Sequence, residues 1–387
     1  MPAAGDNSIP ADQPTAADSP ADARPTVGVS MGDPGSIAPE VLVKALADPG
    51  RRRSARWVVY GSSAALLDAS HDAEVEPFWW TVARSSGLAD HAAAHDVVLI
   101  DRDDETGPEA GIWRREDTAD GGAASYAYVE DALADAAAVV RTRGEAAGQP
   151  AGPSFGAGLP LEAVVTGPIS KLAWAMAGRK KWAGHTELVA ARLGGTHPRM
   201  SFVLPELRVM LVTAHQPLMT VADTITLGRV IDTIQLAHDT CLELGLTSPR
   251  VAVCGLNPHA GENGLLGTDE ERVVTPAVKH ARGQGLDVHG PLPGDTVFSK
   301  ALGGPGRRPI YDVVVAMYHD QGLIPVKLLG FDRAVNYTAG LPAPRTSPDH
   351  GTAFDIAGRN VADPGSMAAA MDLAVKLALG RRVTQSA

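Results

Sequence analysis

Three histidines stand a few residues beyond three separate apolar runs. Val209–Val212 is followed by Thr213-Ala214-His215-Gln216-Pro217. Val251–Cys254 is followed by Gly255-Leu256-Asn257-Pro258-His259-Ala260-Gly261-Glu262, and Val313–Met317 by Tyr318-His319-Asp320-Gln321-Gly322. A fourth run, Leu161–Val165, leads into Thr166-Gly167-Pro168-Ile169-Ser170-Lys171, and the turn Gly184-His185-Thr186-Glu187 opens a helix. Ligands of open α/β sheets bind beyond the carboxyl ends of strands. Three imidazoles at one such edge can hold a divalent cation and still leave coordination positions open for a substrate. Asp320, beside His319, can orient a ligand or join the shell. Nitrogen and oxygen donors suit Zn, Mn, Co or Mg alike. Taken singly, any of the 12 histidines is more often a structural residue or a helix cap. The repetition at strand ends carries the reading.

Cationic and amide groups follow. Lys327, Asn336 and Arg345 fall in a stretch rich in Pro and Gly, Pro325 to Ser347. It reads as loops that place side chains instead of building core. Lys and Arg there can hold a phosphate or carboxylate, against the plainer reading of two solvated surface charges. The turn Gly32-Asp33-Pro34-Gly35-Ser36 before a helix start can receive an anion. No GxGxxG follows any strand, so NAD, if bound, is held without the usual Rossmann turn. Walker and GxSxG patterns are absent too, against a P-loop kinase or a serine hydrolase of that type.

The elements that must position these groups alternate. Strands are expected at Thr26–Met31, Trp57–Tyr60, Val97–Ile100, Glu162–Thr166, Val209–Thr213, Arg250–Cys254 and Asp312–Met317. Helices are expected at Ser125–Arg141, Thr226–Leu244, Asp269–Gln284 and Ser366–Leu379, the last approached by Asp363-Pro364-Gly365. Such alternation implies an α/β fold with mostly parallel strands and helices on both faces. Residues 1–25 read as a disordered tail, and Gly144–Gly158 and Gly303–Arg308 as surface loops.

Composition narrows the classes. The 387 residues carry a formal net charge of −11, and Arg51-Arg52-Arg53 is the nearest approach to a basic run, so nucleic acid is not an expected partner. Two cysteines, Cys241 and Cys254, fit a reducing cytoplasm and exclude a disulfide framework or a cysteine-rich zinc site. No apolar run approaches the roughly 20 residues of a membrane span. The acidic first residues lack the apolar centre of a secretory signal.

Several longer strings share one resemblance. GLNPHAGE at 255–262, GPLPGDT at 290–296, AMYHDQG at 316–322 and RTSPDHGTAFDIAG at 345–358 resemble the 4-hydroxythreonine-4-phosphate dehydrogenase family. TGPISK at 166–171, GHTE at 184–187 and TAHQPL at 213–218 add to it, and the likeness runs from about Thr26 to Leu379. The first turn departs, reading GDPGSIAPE where the family more often has GDPAGIGPE, and Arg51 to about Asp120 matches weakly.

The resemblance implies a two-lobed fold similar to the isocitrate and isopropylmalate dehydrogenases. Residues 26–135 and 330–387 would form the first lobe. Residues 136–329 would form a central lobe with most metal ligands and a homodimer interface that shares the active site. It implies metal ligands His215, His259 and His319, and substrate contacts His185, Thr186, Lys327, Asn336 and Arg345. Asp320, Lys171 and Asp295 match family motifs and are the candidates for the catalytic base. The implied reaction is NAD-dependent (or NADP-dependent), metal-dependent oxidation of 4-hydroxythreonine 4-phosphate. Its β-keto acid product would decarboxylate to 3-amino-2-oxopropyl phosphate, a step of pyridoxine biosynthesis. Related members oxidise threonate or erythronate 4-phosphate, and one branch acts on a cyclic dihydrodiol. From other classes, the same histidines would also suit a metal-dependent phosphoester hydrolase or a non-catalytic binding protein.

Overall fold

The computed structural model describes residues 24–84, 95–108, 112–146, 160–182, 184–195, 197–304 and 306–386. The expected tail, apart from Arg24 and Pro25, lies outside the described residues, as does most of the expected 144–158 loop. The beginning of that loop is helix: Ala119–Ala146 runs on past Gly144.

The seven expected apolar runs become strands and five further strands join them: β1 Thr26–Ser30, β2 Arg56–Gly61, β3 Trp80–Ala83, β4 Val97–Asp101, β5 Ala163–Thr166 and β6 Arg199–Val203. They continue with β7 Arg208–Leu211, β8 Arg250–Cys254, β9 Asp287–Leu292, β10 Val313–Ala316, β11 Val335–Ala339 and β12 Arg345–Pro348. All twelve join one sheet in the order β3-β4-β2-β1-β5-β12-β11-β6-β7-β10-β8-β9. The mostly parallel α/β architecture is as expected. Parallel strands covered on both faces read as unbroken apolar runs, and β8 shows why. Val251 and Val253 belong to one core layer, while Ala252 and Cys254 belong to the layer on the opposite face. The second layer is closed by Val297 and Phe298 of the helix Gly294–Leu302 and by Leu323 and Val326 of the helix His319–Gly330.

The middle of the sheet departs from the sequence reading. The stretch 325–347 was expected as loop, yet Val335–Ala339 and Arg345–Pro348 pair as antiparallel strands, and β11 pairs antiparallel with β6. Prolines 342 and 344 fall in the connection between the two strands, where no ladder bond is needed, so they do not break them. β6 pairs antiparallel with β7 as well. Three antiparallel steps lie between β12 and β7, so the parallel strands of the two halves run in opposite directions. The edge beyond β7, β10 and β8, where the three histidines follow, is therefore not the edge beyond β1, β5 and β12. What joins the two halves is a face: Asn336 opposes Ser347 and Thr338 opposes both Arg345 and Met200.

The C-terminal helix starts where the capping signal places it. It spans Gly365–Ser386, with Asp363 Oδ1 accepting from the Gly365 amide at 2.7 Å. No helix among the described residues is long and apolar enough to cross a membrane.

Candidate active site

A cavity of about 260 Å³ lies over that middle face. Lys171, His185, Thr186, His215, Asn336 and Arg345 of the predicted set line it. His259, His319, Lys327, Asp320 and Asp295 do not.

Arg345 dominates the electrostatics. It is 2% exposed. Its Nε donates to Thr166 Oγ1 at 3.0 Å, and Nη1 reaches Thr338 Oγ1 at 3.4 Å. Among the described residues no carboxylate forms an ion pair with it. Burial pushes its pKa down to about 10, offset in part by Glu187 across the cavity. A buried cation with only hydroxyl partners is poised for an anionic ligand.

His185 begins the helix His185–Leu193, its ring edge-on to Trp174 at 5.5 Å. Burial, with Arg345 and Lys171 nearby, holds it well below the ordinary imidazole pKa, so it is neutral near pH 7. Its Nε2 is sealed from solvent and unpartnered, as is Asn336 Oδ1. Such atoms cost free energy until a ligand satisfies them.

Lys327 sits apart from the lining, but its Nζ lies 2.7 Å from Oδ2 of Asp349, which does line the cavity. Sequence reasoning missed Asp349 and His350 as individual residues. Both lie within the string RTSPDHG, and that was the available signal.

His215 and His319 come together, with ring centroids 5.6 Å apart. Burial and the neighbouring His319 lower the His215 pKa, which favours the neutral, ligating form. Asp320 Oδ1 lies 2.7 Å from His319 Nδ1, the carboxylate–imidazole arrangement that orients a metal ligand. Two imidazoles thus fit a divalent cation. His259 follows β8, next to β10 in the sheet, but is exposed, and its Nδ1 is 3.0 Å from Glu262. Its backbone is in the left-handed region with φ 51°, as are Ala260, Glu262 and Asn263 beside it. Such strain in non-glycine residues persists only where the surroundings impose it. Here the buried Glu270 accepts from the Leu256 and Asn257 amides. Among the described residues of one chain, no group of three His, Cys, Asp or Glu side chains is gathered for a metal ion.

A second cavity of about 540 Å³ has no lining residue in common with the first, but the first turn joins it to two of the first cavity's loops. Gly35, Ser36, Glu40, Trp113, Arg115, Ala357 and Gly358 contribute to its lining. Glu40 Oε2 is buried there without a partner. The Asp33 amide donates to Pro168 O, and the Ile37 amide to Thr352 O, tying the first turn to both loops. A Cβ on Gly35 would stand 2.0 Å from the Arg114 carbonyl oxygen. The departure of this turn from the family pattern thus accompanies a close approach of Arg114. Carboxylate, indole and guanidinium groups around such a space suit a dinucleotide's ribose, base and phosphates.

Asp33 beneath this turn gives a prediction about stability. It is 1% exposed, its Oδ1 accepts from the Gly35 amide, and its Oδ2 has no partner. Burial raises its pKa to about 6. A carboxyl raised above its unfolded value opposes folding as it ionises, so the protein loses stability as pH rises from about 4 to 6. Asp33→Asn keeps the acceptor and removes the charge. It is expected to raise the melting temperature at pH 7.5 by several degrees (about 2–3 kcal/mol) and to change it little at pH 4. Equal shifts at both values would refute this.

The comparisons with known proteins follow the same residues. Residues 158–374 match the family model described as pyridoxal phosphate biosynthetic protein PdxA. The chain belongs to this family. It is 39% identical over 357 residues to a 4-hydroxythreonine-4-phosphate dehydrogenase from Beijerinckia indica, covering 91% of this chain and 94% of that one. It is 40% identical to a D-threonate 4-phosphate dehydrogenase from Cupriavidus necator, covering 92% and 98%. The crystal structure of a 4-hydroxythreonine-4-phosphate dehydrogenase from Klebsiella pneumoniae superposes with a TM-score of 0.73 at 36% identity, covering 92% and 98%. These relatives make a PdxA-family dehydrogenase the frame for the site.

Proposed function

We propose that this PdxA-family chain oxidises a four-carbon acid 4-phosphate, 4-hydroxythreonine 4-phosphate foremost, with NAD as acceptor and a divalent metal as cofactor. The observation that carries this is Arg345, a buried cation without a carboxylate, in one cavity with the sealed Nε2 of His185 and Oδ1 of Asn336. Arg345 holds a substrate anion, while His185, Thr186 and Asn336 fix its orientation. Lys171 lines the cavity and takes the hydroxyl proton. Asp320 instead holds His319, and Asp295 lies near His259, outside the lining. His215 and His319 would hold a divalent cation, which would supply Lewis acidity at the substrate hydroxyl. The residues around the second cavity would hold NAD, which would supply the hydride acceptor. Oxidation of the alcohol β to the carboxylate gives a β-keto acid, which loses carbon dioxide.

A homodimer completes the reading. Ile324, Leu328 and Phe331 are 66%, 86% and 62% exposed. They share one face of the helix that begins at His319, at spacings of four and three residues. A second copy covering this stripe would bury it beside the metal histidines and supply what one chain lacks. Leu328→Asp is expected to yield a monomer by light scattering, with activity down roughly tenfold or more. An active monomer would refute the shared site.

The deciding assay follows NAD reduction by absorbance with 4-hydroxythreonine, D-threonate and D-erythronate 4-phosphates, each with and without added metal. Metal-dependent turnover of the first supports the proposal. Preference for D-threonate 4-phosphate, which the equally similar Cupriavidus relative favours as the second reading, keeps the chemistry and changes the pathway. Phosphate release without NAD reduction would replace the proposal with a hydrolase.

A further inference from the structure

We propose that His350 reads a hydrogen-bond donor on the bound substrate, its Nε2 accepting from a hydroxyl or ammonium group in the cavity that Arg345 lines. The assignment rests on the dehydrogenase reading for its choice of probes. The tautomer carries the argument. His350 Nδ1 lies 3.1 Å from the Gly351 carbonyl oxygen, which can only accept. Nδ1 therefore bears the proton, and a neutral ring leaves Nε2 as an acceptor. That Nε2 is sealed from solvent and has no partner, on a residue that lines the cavity. Burial is also the main influence on the ring's pKa and lowers it, so the neutral form persists near pH 7.

The rest of the lining makes this acceptor useful. Arg345 can only donate, which serves phosphate and carboxylate oxygens, and Lys171 is committed to the proton of the reacting hydroxyl. Asp349 is engaged by Lys327. A four-carbon acid phosphate also carries donors: a hydroxyl at C3, and at C2 an ammonium (4-hydroxythreonine) or a hydroxyl (threonate). A sealed imidazole nitrogen accepts from either and penalises a ligand that lacks the donor, because the nitrogen then stays buried and unpaired.

Calorimetry without NAD tests this with D-threonate 4-phosphate and its 2-deoxy and 3-deoxy analogues on wild type, His350→Phe and His350→Gln. Wild type is expected to prefer the parent over one deoxy analogue by roughly 10- to 100-fold. In His350→Phe that preference collapses to within about threefold, and His350→Gln, which retains an acceptor, recovers part of it. Orthophosphate affinity, set by Arg345, stays within about twofold in both variants and serves as the folding control. Unchanged preferences in His350→Phe would overturn the assignment alone. Wild type that binds neither these three ligands nor 4-hydroxythreonine 4-phosphate would sink the dehydrogenase reading and this assignment together.

Discussion

Arg345→Met is expected to lower kcat/KM by roughly 10²- to 10³-fold while leaving the protein as stable as wild type or more so. The two signs follow from one fact: among the described residues, the buried Arg345 guanidinium has hydroxyl side-chain partners only. A pKa pushed down to about 10 means that folding carries this charge at a cost of about 3 kcal/mol. Methionine fills similar volume without charge, and replacing buried ions with apolar groups is often neutral or stabilising. The substrate loses more. Removing one partner of a desolvated charge pair costs about 2–5 kcal/mol in binding. Arg345→Lys keeps the charge but not the planar fork, so it should fall between the two. Steady-state kinetics and thermal melting check both signs. Wild-type affinity for the phosphate substrate in Arg345→Met would sink the anion-site reading. A large fall in melting temperature would show that Arg345 holds the middle strands together and would remove the contrast.

The chemistry was more legible in the sequence than its assembly. Histidine, lysine and arginine stand out by type, and His215, His185 and Arg345 do meet in one cavity. Long Val- and Ala-rich runs such as Val313–Ala316 also announce themselves, because burial on both faces demands them. Arg345 itself was read as a loop residue, since Pro342, Pro344 and Pro348 around it mimic a loop. In fact Arg345 lies in a fully buried four-residue strand. Nor does the sequence show the three antiparallel steps that set the two halves running in opposite directions. A rule about carboxyl edges predicts that the histidine strands share an edge. It does not predict that the TGPISK loop reaches His215 over a face. His259 marks another limit: its strand end was legible, its left-handed exposed turn was not.

His215→Ala is expected to abolish metal-stimulated turnover, a loss on the order of 10³-fold or more, because a cation held there would supply several kcal/mol of charge stabilisation at the hydroxyl. The residue is chosen for its position. It lines the cavity and also faces His319 at 5.6 Å, so it is the histidine that would link a bound cation to the substrate space. The readout need not be activity. Titration with Zn²⁺ or Mn²⁺ should show tight binding by the wild type and weak binding by His215→Ala. Asp320→Asn, which leaves the ligand but loosens its orientation, should weaken binding about 10- to 100-fold. Chelation of wild type should reproduce the His215→Ala defect, and re-addition of metal should reverse it only in wild type. Acidification should weaken metal binding as the imidazoles protonate. His215, lowered by burial and by His319, should stay available below the usual imidazole range. Full NAD-reducing activity of His215→Ala in chelator-treated buffer would remove the metal from the mechanism. Arg345 would remain as an anion site in need of a different electrophile.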